Sequence, residues 1–326
     1  MATFRSAYRS ALFIQLLASY RRNPVEREMS PEPQSQAEVA LASHKLWIVL
    51  HALRLHHWLK NCLLLVPAII THAVSLNLSN LSIGFVAYGC ASSANYLMND
   101  LLDKEHDRQD SIKRERAQAA EYLSPRTVIG LTIALVSAAM VCASLLPADF
   151  QLTLVAYLLI CLAYSLLLKR VKLIDILTLT ILFDLRLAAG AAAIKISLPN
   201  TLWLVGSCFF FTMALFKRLT QLSASKGLFE RLPGRPYGHA DLSTLLVLAG
   251  TSGVASVLVS AIFLTDVSTR ASGVLWFVLL LQATWLARCY FAAARGTLNE
   301  DLVLFIITDV PSCSIVLAAL TLMAIG

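Results

Sequence analysis

Asn99-Asp100-Leu101-Leu102-Asp103-Lys104-Glu105-His106-Asp107 closes an apolar run that begins near Leu81. If this stretch is helical, aspartates at i, i+3 and i+7 stand on one face. That face lies where apolar chain gives way to a basic cluster. A row of carboxylates at a membrane boundary suits a divalent cation such as Mg²⁺, which takes oxygen ligands and commonly bridges to substrate phosphates. Asp100, Asp103 and Asp107 are therefore the candidate metal ligands, and Asn99 adds a carbonyl oxygen beside them. The chemistry expected is that of a phosphorylated or diphosphate donor handled at a membrane surface.

The rest of the chain supplies the membrane. Of 326 residues, 57% are hydrophobic and only 14% charged, against roughly 25% charged in soluble domains. Nine apolar segments stand out, at roughly 62–78, 81–98, 127–146, 151–169, 173–196, 201–219, 242–264, 273–292 and 302–325. Each is near the ~20 residues a helix needs to cross the hydrocarbon core. Their unbroken apolar character indicates helices, because barrel strands alternate. The fold class expected is an all-α polytopic membrane protein with nine transmembrane helices, forming one domain over 46–326. Residues 1–45 read as a partly disordered cytoplasmic segment. Ser10 to Tyr20 is mildly apolar, but Arg21, Arg22, Pro24 and Arg27 follow it, which inverts the charge order of a cleaved signal. Residues 45–60 read as an amphipathic helix at the interface, with Trp47 and Trp58 as anchors.

Basic residues set the orientation. Lys104, Arg108, Lys113, Arg114, Arg116 and Arg126 follow the second segment, Lys169, Arg170 and Lys172 the fourth, Lys217, Arg218, Lys226, Arg231 and Arg235 the sixth, and Arg288 and Arg295 the eighth. The opposite connections offer Lys195 and Arg270. The positive-inside rule then places the N-terminus and these loops in the cytoplasm, in the inner membrane if the cell is bacterial. The net charge of +7 is explained by those loops and by anionic membrane lipids. It gives no sign of nucleic acid, because no surface interleaves aromatic and basic residues. The seven cysteines form no C-x-x-C pair and read as buried free thiols. The sequence leaves oligomeric state open.

Further candidates lie at the cytoplasmic ends of the segments. Lys113, Arg114 and Arg116 can grip phosphate oxygens. In the fifth segment, Asp175 and Arg186 are eleven residues apart, three helical turns, and so share a face that would line a polar cavity. Asp184 points the other way. Ionisable groups inside a span are costly and mark function. Lys217, Arg218 and Gln221 end the sixth segment, with Gln221 on the face of Lys217. Tyr164 and Lys169 end the fourth. They lie about 140° apart on a continuous helix, and share a site only if the helix stops between them.

With these residues in view, the chain resembles the UbiA superfamily of intramembrane prenyltransferases. The N-D-x-x-D-x-x-x-D pattern at Asn99 to Asp107 is the main warrant. Within the superfamily the chain is most similar to the branch of decaprenyl-phosphate phosphoribosyltransferases and polyprenyltransferase-like proteins. That likeness covers roughly 50–326 and rests on Leu53-Arg54, Trp58-Leu59-Lys60-Asn61, Ser93 to Asp100, Lys113-Arg114-Glu115-Arg116, Tyr164-Ser165 with Lys169 and Asp175, Arg186 with Ala189-Gly190, Lys217-Arg218, Gly234-Arg235-Pro236-Tyr237, and Asp301 with Phe305. The resemblance implies nine helices around a central cavity capped by cytoplasmic loops. It implies Mg²⁺ at Asp100, Asp103 and Asp107, catalytic roles for Asp103, Asp107, Asp175 and Arg186, and substrate contacts from Lys60, Asn99, Lys113, Arg116, Tyr164, Lys169, Lys217, Arg218 and Gln221. The implied reaction joins a polyprenyl phosphate to phosphoribosyl pyrophosphate with loss of diphosphate. The superfamily's commoner reaction moves a prenyl group from prenyl diphosphate to an aromatic or other small acceptor, and usually shows a second D-x-x-x-D motif after the sixth span. Residues 217–241 contain none. The chain departs from the branch at Gln221 (usually Glu), Phe183 (usually Tyr), Ala117 and Leu55 (both usually Pro). A non-catalytic paralogue or a transporter is the remaining alternative, but a transporter would show internal repeats and broken helices, and the charges here gather at one face.

Overall fold

The computed structural model describes residues 49–50, 52–71, 73–107, 123–225, 231–267, 272–299, 305–306 and 308–325. The chain divides into two units, Met1–His51 and Ala52–Gly326, and all that follows concerns the second. The expected N-terminal segment at 1–45, Trp47, and Lys113, Arg114 and Arg116 lie outside the described residues. A 3-10 helix, Leu55–Leu65, runs directly into the short helix α1 (Val66–Ile70). Then come α2 (Leu78–Asp107), α3 (Pro125–Ser144), α4 (Ala148–Leu166), α5 (Ile174–Ala193), α6 (Asn200–Ala224), α7 (Leu242–Val267), α8 (Ser272–Ala294) and α9 (Val310–Ile325). Among the described residues there is no strand beyond one isolated bridge, between Arg231 and Gly238.

Among the described residues, six helical stretches are long and apolar enough to cross a membrane: Pro125–Ser144, Ala148–Leu166, Ile174–Ala193, Asn200–Ala224, His239–Thr265 and Trp276–Ala294. At 1.5 Å per residue they are about 28–40 Å long. The other three expected segments differ for local reasons. The first enters through the Leu55–Leu65 3-10 helix and includes only five α-helical residues. The second, α2, is 30 residues long, but Ser92, Ser93, Asn99, Asp100 and Asp103 dilute its apolar character. The ninth is described from Val310 onward, as α9.

The polarity of the molecule is that of a protein dissolved in lipid. Ile133, Val141, Leu159, Val254, Ile262, Phe277 and Leu280 are exposed, whereas Asn61, Lys169, Asp175, Arg186 and Arg218 are buried. The lipid-facing helices α3 and α7 are little covered, with 17% and 22% of their apolar windows buried, while α5 and α6 reach 56% and 50%. The two central helices carry the buried Asp175, Arg186 and Arg218. This follows from the cost of showing a charge to hydrocarbon.

Two apolar clusters flank that centre. Leu64, Tyr88, Phe150, Leu154 and Tyr157 join the 3-10 helix to α2 and α4. Leu215, Phe216, Leu219, Trp285 and Cys289 join α6 to α8. Trp58 is not the interfacial anchor expected from its position. Its ring lies against Gly89, where a Cβ would come within 2.6 Å of it, and its Nε1 donates to Ser93 Oγ at 2.9 Å. Cys62 is exposed, against the expectation of burial, while Cys90, Cys161 and Cys289 are buried and Cys142, Cys208 and Cys313 are half-buried.

The 3-10 helix meets α5 at Gly190, where a Cβ would lie 2.1 Å from the Leu64 carbonyl oxygen. No rotamer change relieves a clash with backbone. Gly190→Ala is expected to force the two elements apart and cost about 1–3 kcal/mol or more. Gly130→Ala, which meets nothing within 4 Å, should shift stability by no more than ~1 kcal/mol. Thermal unfolding of the two variants in detergent checks the contrast.

Candidate functional site

Helix ends position the charged residues. α4 stops at Leu166 and a 3-10 turn, Leu168–Arg170, follows. The helix therefore does end between Tyr164 and Lys169. Leu173 then takes φ 63, ψ −39, and the Ile174 N–H donates to the Lys172 carbonyl at 2.8 Å. This is a γ-turn of the strained, positive-φ kind. The Leu173 N–H is held by Tyr237 Oη at 3.0 Å, and burial pushes that phenol up to about 12 against the pull of this N–H. The turn starts α5 abruptly, with Asp175 as its second residue.

Asp175 is wholly buried and collects donors from three elements. Arg218 of α6 forms a two-point contact: its Nε meets Oδ2, and its Nη2 donates to Oδ1 at 2.7 Å. Tyr164 of α4 donates to Oδ1 at 2.8 Å. Arg235, from the α6–α7 connection, reaches Oδ1 at 3.2 Å and donates to Tyr164 Oη at 2.8 Å. Arg218 Nη1 also donates to Gln221 Oε1 at 2.5 Å. Arg218 is itself fully buried.

The aspartate face sits beside this cluster. Asp103 Oδ1 accepts from Lys169 Nζ at 2.5 Å, and the same ammonium lies 3.3 Å from Asn99 Oδ1. Lys169 is buried. Burial pulls its ammonium below the usual lysine range, and the hydrogen bond and charge of Asp103 oppose that. Asp100 accepts from Arg54 Nη2 at 2.6 and 2.7 Å, and the guanidinium covers the Tyr96 ring at 5.2 Å. Arg54 has φ 49, a left-handed conformation that starts the 3-10 helix. Asp107 ends α2, and its side chain lies outside the described residues. Lys60 is half-buried with its Nζ 3.4 Å from His57 Nδ1, and Lys217 is half-buried next to Arg218.

Arg186 stands apart from Asp175. The two share a face of α5, but eleven residues separate them by about 16 Å along the axis, and they do not line one polar wall as expected. Arg186 donates from Nε to Asn61 Oδ1 at 3.2 Å, from Nη1 to the Leu182 carbonyl at 2.6 Å and from Nη2 to Tyr157 Oη at 2.8 Å. Among the described residues no carboxylate neutralises it, and Asn61 Nδ2 beside it is buried without a partner. Asp184 turns the other way, as its spacing requires, and accepts from Ser207 Oγ at 2.8 Å.

Residues 62–301 match the UbiA prenyltransferase family. The chain belongs to that family. This UbiA-family protein is accordingly a multi-pass membrane protein, as its long apolar helices indicate. It is 31% identical over 295 residues to the uncharacterized protein y4nM of Sinorhizobium fredii, covering 87% of this chain and 55% of that one, so it spans about half the length of that relative. It is 29% identical to the nodulation protein NoeC of Azorhizobium caulinodans, over 79% of this chain and 86% of that one. It is 28% identical to decaprenyl-phosphate phosphoribosyltransferase of Corynebacterium glutamicum, over 76% and 77%. Its fold is similar to that of a UbiA homologue from Archaeoglobus fulgidus bound to DMAPP and Mg²⁺, with TM-score 0.64, 13% identity, and coverage of 85% of this chain and 99% of that one. At that identity the likeness concerns the fold.

In the UbiA-family chain the aspartate face has the composition of a magnesium site. Asn99, Asp100 and Asp103 offer only oxygen, the donor set of a hard cation. Arg54 and Lys169 bring two positive charges to Asp100 and Asp103, the charge one dication would bring. Among the described residues no three His, Cys, Asp or Glu side chains are already grouped to hold a metal. Arg54, Asn61, Tyr157 and Arg235 were not among the expected site residues. Arg54 and Arg235 lie in the Leu53-Arg54 and Gly234-Arg235-Pro236-Tyr237 stretches, but as single cations in basic loops they look like topology signals.

Removing one partner from a buried ion pair strands the other's charge, at about 3–5 kcal/mol. Asp175→Ala is expected to lose that much, while Arg235→Gln, whose side chain is partly exposed, should lose less than ~2 kcal/mol. A double-mutant cycle pairing Asp175→Ala with Arg218→Met, read by unfolding in detergent, should give a coupling above ~1 kcal/mol.

Proposed function

We propose that this chain transfers a phosphoribosyl group from phosphoribosyl pyrophosphate to the phosphate of a polyprenyl lipid, with Mg²⁺, at the cytoplasmic face of a nine-helix bundle formed by residues 46–326. The observation that carries the reading is the sign of the charge around Asp175. Where the prenyl-diphosphate enzymes would show a second aspartate motif, the described residues present Arg218 and Arg235. Asp241, the carboxylate described in that connection, is bonded to Lys172 at 2.6 Å and to the Gly238 N–H at 2.9 Å. Two anionic reactants fit a site with carboxylates on one wall and guanidiniums on the other. The decaprenyl-phosphate phosphoribosyltransferase relatives support the same donor.

The residues then divide the work. Asp100 and Asp103, with Asp107 and Asn99, would hold magnesium, which supplies positive charge to the departing diphosphate. With Asp100 and Asp103 committed to a cation, Arg54 and Lys169 would be available to phosphate oxygens. A lipid phosphate oxygen forms the new bond to the ribose carbon as that carbon's bond to diphosphate breaks. Lys60, Lys113, Arg116, Tyr164, Lys217, Arg218 and Gln221 bind and orient the two phosphorylated groups, with Asp175 fixing Arg218. Arg186, which has only neutral partners, would face negative charge on the lipid side of the cavity.

Purified protein with Mg²⁺, radiolabelled phosphoribosyl pyrophosphate and polyprenyl phosphate should yield a lipid-linked phosphoribosyl product. Asp103→Ala should slow its formation by on the order of 10²–10³-fold. Consumption of prenyl diphosphate with an aromatic acceptor instead, in a parallel incubation, would overturn the reading.

A further inference from the structure

Beside the aspartate face a cleft of about 370 Å³ opens between the end of α4 and the α6–α7 connection, lined by Arg170, Arg231, Gly234, Arg235 and Pro236. Its volume is within the range of small-molecule sites, about 300–1,000 Å³. Its charge is one-sided. Arg170 and Arg231 are exposed and have no ion pair among the described residues. Arg235 shares the single carboxylate of Asp175 with Arg218.

Topology alone does not require this arrangement. The positive-inside rule counts cations in a loop and is indifferent to where they point. Here the backbone that carries them is ordered. The Leu232 N–H donates to the Tyr237 carbonyl at 2.9 Å, and the Arg235 N–H donates to the Leu232 carbonyl at 3.0 Å. Gly234 turns the chain at φ 67, and Tyr237 is buried with its Oη on the Leu173 N–H. Asp175, shared with Arg218, and Asp241, whose carboxyl is lowered in part by the charge of Arg231, offset these three guanidiniums only in part, and Arg is the side chain whose fork matches phosphate oxygens.

The place of the cleft narrows the anion. Arg170 follows Lys169 directly, and Lys169 is bonded to Asp103. The turn that carries Arg170 into the cleft therefore also carries the ammonium that meets the aspartate face. We propose that the cleft binds a phosphate group other than the departing diphosphate. Under the phosphoribosyl reading, on which this assignment of source rests, it is the phosphate on the far side of the donor's ribose. A prenyl diphosphate carries no second phosphate to fill the cleft. An anionic lipid headgroup offers the same chemistry from the membrane side.

The test uses the full chain in nanodiscs. In phosphatidylcholine, ribose 5-phosphate should bind without metal, and Arg170→Gln with Arg231→Gln should weaken it about tenfold or more. Asp103→Asn should leave it within about twofold. Both arginines are exposed, so the double variant is expected to fold, and its thermal unfolding is the control. A second arm measures phosphatidylglycerol retained on the protein from mixed-lipid nanodiscs. Arginine-dependent loss in the first arm supports a phosphate cleft fed by a soluble sugar phosphate. Loss confined to the second arm supports a phosphate cleft fed by a headgroup. Binding in neither arm, or binding equal in the double variant, overturns the proposal. If phosphoribosyl pyrophosphate is turned over but ribose 5-phosphate binding ignores the arginines, the cleft fails and the reaction stands. If ribose 5-phosphate binds through them and no phosphoribosyl product forms, the reaction fails and the cleft stands.

Discussion

Asp175 meets no solvent and is surrounded by Arg218, Arg235 and Tyr164. The contacts come from α4, α5, α6 and the connection after α6, so one carboxylate ties together the four parts that frame the site. The arrangement is costly, because two guanidiniums and a carboxylate leave water together. Its return is geometric. Arg218 cannot swing away from α5 while Asp175 and Gln221 hold it, and the strained turn at Leu173 is pinned by Tyr237 from the same connection. Under the proposed reading the site binds two anions and needs cations that stay in place, and burial among fixed partners provides that.

The aspartate face works in the opposite sense. Asp100 and Asp103 are only partly covered, with side-chain exposures of 14% each, and each is held by one long cation. Such pairs can exchange partners. The contrast between a locked Asp175 and exchangeable Asp100 and Asp103 separates the groups that frame the site from those that would change hands when metal and diphosphate arrive. The basic cleft extends the same logic, since Arg170 and Arg231 form no ion pair among the described residues.

Much of this was legible in the sequence. Hydrophobic length placed the central helices, because α3 to α8 are each about 20 or more residues long and mainly apolar, and the aspartate spacing on α2 needed only helical periodicity. The faces of α5 were also correct, with Asp184 turned away from Asp175 and Arg186. What periodicity could not show was partnership. A shared face implied a shared cavity for Asp175 and Arg186, yet Asp175 is paired with Arg218, 43 residues away, and Arg186 is hydrogen-bonded to the neutral Asn61, 125 residues away. Trp58 was misread for the same reason, since its fit onto Gly89 depends on a helix that lies 31 positions later. Arg54 and Arg235 were hidden among loop cations, whose sequence signal is dominated by topology.

In the proposed reaction Asp100 and Asp103 bind a divalent metal together with a diphosphate. Electron paramagnetic resonance of Mn²⁺ with the full chain, titrated with inorganic pyrophosphate, measures this without turnover. The prediction is that pyrophosphate tightens Mn²⁺ binding, and that Asp100→Asn or Asp103→Asn weakens it by at least about tenfold. Mn²⁺ binding that ignores pyrophosphate, or that is the same in both variants, would contradict it.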